Sequence, residues 1–265
     1  ALTPGEKGTD QIVHSALPYE NRPALQRGLM NLSFRLLTTV FRRVFHLDIH
    51  YPERLPRTGP FILAGNHTSH LDSGAVIATL VETLGFAAAR RLHVVGARDY
   101  FFDSRLKGWA FSTLLNVVPI ERDEVGLQGL RLVGSILRRG EAVLIFPEGT
   151  RSRTGELQSF RPGVGLLAWE YDVPVVPLYL SGTFEALPAG RLLPQRGKVS
   201  VWVGKPLRGR ELFPSYHDVP ADELYRRFTA EIQRNVEALA REAAASFERR
   251  DSSEEALTSA GTSRD

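Results

Sequence analysis

The 265-residue chain contains no cysteine, which removes thiolate nucleophiles, disulfides and cysteine-ligated metal as bases for its chemistry. Long apolar runs are missing too: no stretch approaches the roughly 20 uninterrupted apolar residues of a membrane span. No secretory signal pattern opens the chain, so it reads as soluble or peripheral. Its only methionine is Met30 and it begins at Ala1, so a processed or excerpted chain is expected. No Gly-x-Ser-x-Gly elbow occurs, which argues against a serine hydrolase. The formal net charge of +3 is too small to imply a nucleic-acid partner. Acidic residues are absent from one long stretch, between Glu20 and Asp48, where Arg22, Arg27, Arg35, Arg42 and Arg43 are all basic. What is present suffices for a folded core: 43% of residues are hydrophobic and 24% charged, which excludes global disorder.

Residues 1–20 are polar and aperiodic, a loose leader. From Pro23 to His46 the pattern is helical, with Asn21 and Pro23 as start signals. Leu25, Leu29, Leu32, Leu36 and Val40 share one face, widened by Met30, Leu37, Phe41 and Val44; Asn31, Arg35, Thr38 and Arg42 share the opposite, narrower one. A wide apolar face edged only by positive charge is what an interfacial helix on an anionic membrane carries. The same pattern also fits a helix packed on the core with solvated arginines.

Apolar strand-like runs then alternate with helical patterns. The strands fall at Leu47–Tyr51, Pro60–Gly65, Leu92–Gly96, Asn116–Ile120, Ala142–Phe146, Val173–Leu180 and Val199–Val203. Helical patterns cover Asp72–Gly85, Leu106–Leu115, the stretch from Asp123 to Gly140, and Phe160–Tyr171. This alternation predicts an α/β fold with a mainly parallel central sheet flanked by helices, preceded by an N-terminal amphipathic helix. The expected organisation is a helix over residues 21–46, a catalytic domain over 47–210, a helical segment over 211–250 and a disordered tail over 251–265.

In a parallel sheet, sites lie at the carboxyl ends of strands, and two polar clusters fall there. The first is Asn66-His67-Thr68-Ser69-His70-Leu71-Asp72, after the apolar run ending at Gly65. On one helix His67 and Asp72 would splay by roughly 140° at about 100° per residue. His67 therefore belongs at the strand end and Asp72 in the first turn of the next helix. A histidine oriented by a carboxylate is a general base suited to neutral pH. Two other readings stand beside this one. Ser69 and Asp72 match a helix-start capping pattern. His67, His70 and Asp72 could ligate a metal, although the other histidines sit in no ligand motif.

The second cluster is Pro147-Glu148-Gly149-Thr150-Arg151-Ser152. Gly149 permits close backbone approach by a ligand, and Arg151 offers the planar fork that suits a phosphate. Arg122 stands at the end of another strand. A general base near two arginines suggests a phosphate-bearing substrate whose hydroxyl is to be deprotonated. Gly163-Val-Gly165-Leu-Leu-Ala168 fits a loose nucleotide-binding pattern but follows no strand, so a tight start to a packed helix accounts for it better. A lipid-binding protein without catalysis would use the basic helix and the arginines but would not need His67.

These residues resemble the glycerolipid acyltransferases that acylate lysophospholipids. Asn66-His67-x-x-x-x-Asp72 is similar to their first motif and Asn116-Val-Val-Pro-Ile-Glu-Arg122 to their second. Phe146-Pro-Glu-Gly-Thr-Arg-Ser152 matches the third in full, and Val173-Pro-Val-Val-Pro177 resembles the fourth. The departures are Pro119 and Glu121 in the second motif and Arg161 after the third. The resemblance implies acyl transfer from acyl-CoA or acyl carrier protein, as co-substrate, to a lysophospholipid hydroxyl, most of all that of 1-acyl-sn-glycerol-3-phosphate. In it His67 is the base and Asp72 its orienter. Arg122 and Arg151 hold the phosphate, while Glu148, Gly149 and Thr150 shape the acceptor site. It implies no metal and no cofactor, and a protein associated peripherally with the cytoplasmic side of a membrane.

Overall fold

The computed structural model describes residues 18–97, 104–120, 127–188, 190–191, 193–215 and 219–261. Seven strands form one sheet: β1 (Asp48–His50), β2 (Ile62–Gly65), β3 (Leu92–Ala97), β4 (Val117–Ile120), β5 (Ala142–Ile145), β6 (Val175–Ser181) and β7 (Ser200–Val203). Their order across the sheet is β1-β7-β6-β2-β5-β3-β4. Every pairing is parallel except β6 with β7. The expected fold class, a mainly parallel sheet flanked by helices, is the one observed.

The central strands are apolar on both sides, and alternation along each sorts side chains between two cores. Leu63, Leu144 and Val176 join one core, while Ile62, Ala64, Val143 and Val175 join the other. The first core is covered by helices α1 (Ala24–Arg43) and α2 (Asp72–Leu84), with α3 (Arg105–Leu115) lying along it. The second is covered by α4 (Leu127–Arg138), α5 (Gly163–Glu170) and α6 (Ala221–Gly261). The backbone of α6 runs helically to Gly261, into the stretch over 251–265 expected to be a disordered tail.

The N-terminal helix departs from its sequence reading. Met30, Phe34 and Phe41, with Phe45 just past its end, are fully buried in the first core, whereas Leu25, Leu32 and Leu36 on the other side are exposed. The broad apolar face is thus two faces, one in the core and one outward. Gly74 of α2 makes the close packing possible, since a Cβ there would lie 2.9 Å from Phe41 Cε2. Thr38, expected on the polar side, is buried and turns its hydroxyl onto Phe34 O at 2.7 Å. Arg22, counted among the surface cations, is buried as well. It donates to Ser112 O at 2.9 Å and to Asn116 Oδ1. Burial lowers its pKa to about 10, although the nearby Glu141 carboxylate opposes the shift.

Gly165 of α5 is explained by packing. A Cβ there would come within 2.3 Å of Tyr225 O in α6, and its N–H donates to Thr229 Oγ1 at 3.2 Å.

Candidate active site

Strands β2 and β5 are neighbours, yet β2 runs on to α2 on one face and β5 to α5 on the other. Diverging connections open a crevice at the carboxyl ends of the two strands, the usual place for a site in such sheets. His67 follows β2 and Glu148 follows β5, so both line that crevice.

His67 and Asp72 meet there as the spacing predicts. Asp72 is the first residue of α2, and its Oδ2 lies 2.8 Å from His67 Nδ1. A carboxylate oxygen can only accept, so Nδ1 carries the hydrogen, and in the neutral imidazole Nε2 is the nitrogen with the lone pair. The same Oδ2 accepts the backbone N–H groups of Thr68 at 2.7 Å and Ser69 at 2.8 Å. The capping and catalytic readings of Asp72 are therefore compatible: one oxygen closes the loop onto the helix start and holds the imidazole. Ser69 turns its own hydroxyl to Leu187 O at 2.8 Å.

The loop is held from several sides. Asn66 exchanges two hydrogen bonds with the backbone of Leu180, at 2.8 and 2.9 Å, joining the loop to β6. Thr68 Oγ1 meets Thr183 Oγ1 at 3.2 Å, and Ser152 N–H donates to His67 O at 2.7 Å. The ring of Phe146 stacks on the imidazole, with centroids 4.1 Å apart and planes 9° from parallel. Asp72 is wholly buried while the His67 side chain keeps 22% of its surface open, so the pair has a shielded end and an accessible end. The ring support from Phe146 and the tie from Thr183 were not read from the sequence. Phe146 stood inside the third motif, but nothing in its apolar character marks a ring that stacks on the imidazole.

Glu148 is buried, and its Oε1 accepts the His67 N–H at 3.0 Å. Burial, reinforced by the charge of Asp72, pushes its pKa up to about 7 against the opposing hydrogen bonds from His67 and Gln158. Gly149 adopts φ +76°, which favours glycine, and a Cβ there would lie 2.7 Å from Arg161 Nε and displace that side chain. Thr150 is exposed and Arg151 half-buried on the same turn. Arg151 lies near enough to His70 to help lower its pKa to about 4, after desolvation and ahead of His67, so His70 is neutral at pH 7. Arg122 lies outside the described residues. Among the described residues, no three His, Cys, Asp or Glu side chains form a group that could hold a metal ion.

A family model described as Acyltransferase matches residues 46–181, just over half of the chain. The chain belongs to the acyltransferase family. That match spans β1 to β6 and includes both loops of the crevice. A chloroplastic 1-acyl-sn-glycerol-3-phosphate acyltransferase of Arabidopsis thaliana is 31% identical over 197 residues, covering 66% of this chain and 52% of its own. The corresponding chloroplastic enzyme of Brassica napus is also 31% identical, with 54% of its length covered. The chain thus spans about half the length of those plant relatives. The 1-acyl-sn-glycerol-3-phosphate acyltransferase of Bacillus subtilis is 24% identical over 73% of this chain and 87% of its own. Among solved structures, the 1-acyl-sn-glycerophosphate acyltransferase PlsC of Thermotoga maritima superposes with a TM-score of 0.58 at 23% identity. The match covers 88% of each chain and confirms the fold.

Proposed function

We propose that this acyltransferase moves a fatty acyl group from a thioester, acyl-CoA or acyl carrier protein, to the free hydroxyl of a lysophospholipid. The preferred acceptor is 1-acyl-sn-glycerol-3-phosphate and the product phosphatidic acid, as the names of its relatives suggest. The observation that carries the reading is the His67–Asp72 pair, 2.8 Å apart at the carboxyl ends of β2 and β5, with Nε2 left as the acceptor nitrogen. His67 takes the proton of the acceptor hydroxyl as its oxygen attacks the thioester carbonyl. Asp72 holds the tautomer and balances the imidazolium that forms. Collapse of the tetrahedral intermediate breaks the C–S bond, and the imidazolium returns the proton to the departing thiolate. General-base assistance of this kind is typically worth ~10²–10⁴ in rate.

The acceptor needs positioning as much as it needs a base. Arg151 and Arg122 are proposed to take its phosphate, with Gly149 and Thr150 shaping the turn beneath it. Glu148 sets the backbone of His67 and closes that wall. The chain needs no metal and no cofactor for these steps. We place its work at the cytoplasmic surface of a membrane, held peripherally, with the exposed leucines and the arginines of α1 as support.

The test is release of free thiol from acyl-CoA in the presence of lysophosphatidic acid, comparing the wild type with His67→Ala. Acceptor-dependent release that collapses in the variant is expected. Release independent of acceptor points to a thioesterase, and no release with any lysolipid or donor carrier points to a lipid-binding protein.

A further inference from the structure

Nine large hydrophobic side chains of the described residues stand well exposed, and six of them belong to just two helices. Leu25, Leu32 and Leu36 lie on α1, and Leu106, Trp109 and Leu114 on α3. The two helices pack together, with Ser33 Oγ of α1 donating to Leu114 O of α3 at 2.5 Å. That contact brings the C-terminal end of α3 against α1. Single exposed leucines need no explanation, but six large exposed apolar side chains on two helices packed together mark an interaction surface.

Charge decides what the surface meets. Neither helix contains an acidic residue, whereas α1 carries Arg27, Arg35, Arg42 and Arg43 and α3 carries Lys107. Arg42 reaches Glu82 of α2 at 3.5 Å, a solvent-exposed pair of little strength. In a two-fold dimer built on this face the same patch would face itself, so arginine and lysine would oppose arginine and lysine. Such like-charge contacts oppose association. An anionic phospholipid surface satisfies both halves of the patch, because leucines and an indole enter the acyl boundary while the cations stay among the headgroups. Trp109 has the residue chemistry that settles at that depth.

We infer that α3 is a second lipid-contacting element, which together with the outer face of α1 forms one two-helix surface that docks on anionic bilayers. The inference builds on the peripheral location proposed above and adds to it a face and a lipid charge. It predicts which tryptophan reports on docking. Trp169 and Trp202 are buried, whereas Trp109 is 44% exposed.

The experiment mixes the full chain with vesicles of phosphatidylcholine alone or with phosphatidylglycerol, and follows tryptophan emission alongside co-sedimentation. The expected result is binding to the anionic vesicles that weakens with salt, with a blue shift that disappears in Trp109→Phe although that variant still sediments. Leu106→Ser combined with Trp109→Ser is expected to weaken vesicle binding by at least about tenfold, since two apolar side chains no longer enter the bilayer. Both positions are exposed, so thermal unfolding of these variants should match the wild type. Wild-type vesicle binding by the double variant, or an unshifted Trp109 on a sedimenting chain, overturns the inference. Self-association in place of vesicle binding also overturns it and assigns the face to a second copy. No acyl donor or acceptor is present, so failure here is separate from failure of the acyl-transfer reading.

Discussion

Replacing Asp72 by asparagine removes a negative charge with almost no change of volume, at a residue wholly buried behind the imidazole. Its Oδ2 receives three hydrogen bonds, from His67 Nδ1 and from the Thr68 and Ser69 amides. A hydrogen bond to a charged group is worth about 1.5–3 kcal/mol. At ~1.36 kcal/mol per tenfold, losing the charge-assisted part of the His67 contact lowers turnover by about 10- to 150-fold. His67→Ala removes the base itself and is expected to cost ~10²–10⁴. If Asp72 acts through the imidazole, its effect must shrink when the imidazole is gone: Asp72→Asn in the His67→Ala background should cost less than about twofold. The assay is lysophosphatidate-dependent thiol release by the two single variants and the double. Thermal unfolding is followed in parallel, because the same oxygen also holds two backbone amides and asparagine loosens that loop. Penalties that simply multiply in the double variant would show that Asp72 acts independently of His67, and the base-and-orienter assignment would be refuted.

Glu148 links the site to pH. Its carboxyl titrates near 7 in the fold and near 4.5 in the unfolded chain, so the folded state resists its ionisation. Stability from this group is retained below the unfolded pKa and declines as pH rises from about 4.5 to about 7, beyond which the penalty is complete. Glu148→Gln, which keeps an oxygen for the His67 N–H, should raise the melting temperature more at pH 8 than at pH 5. An equal shift at both pH values would contradict the burial of that charge. Gly149→Ala places a side chain at φ +76° against Arg161, so a loss of about 1–2 kcal/mol in stability is expected. Its KM for the acceptor should rise as well; unchanged unfolding and kinetics would show that the turn relaxes freely. On α1, Phe34→Ala and Phe41→Ala should each cost about 3–5 kcal/mol in chemical denaturation. Leu32→Ser and Leu36→Ser should stay within ~0.5 kcal/mol. Equal costs would mean that the two faces of the helix are not distinct.

The sheet was legible because each strand is an apolar run of strand length and each intervening segment has helical period. The pairing of His67 with Asp72 was legible because their spacing cannot bring them together on one helix. Other features left no local signal. Periodicity finds an apolar face but cannot tell the side that meets protein from the side that does not. In α1 both sides are apolar, so Phe34 and Leu32 look alike until α2 is in place. Arg22 reads as a surface cation since nothing nearby in sequence shows that Ser112 and Asn116, about 90 positions away, accept its hydrogen bonds. The stack of Phe146 on His67 likewise depends on β2 and β5 being neighbours, which strand order decides.

The two-sidedness of α1 has a mechanical consequence. A tether joined by a flexible linker leaves the body it holds free to tumble, and it can be cut away without harm. This helix has no such independence. A load on its outer leucines passes through Phe41 into Gly74, two residues from the carboxylate that steadies the imidazole. The outward leucines and the His67–Asp72 pair are thus bolted to the same beam, and the cleft keeps a fixed attitude toward whatever the leucines rest on.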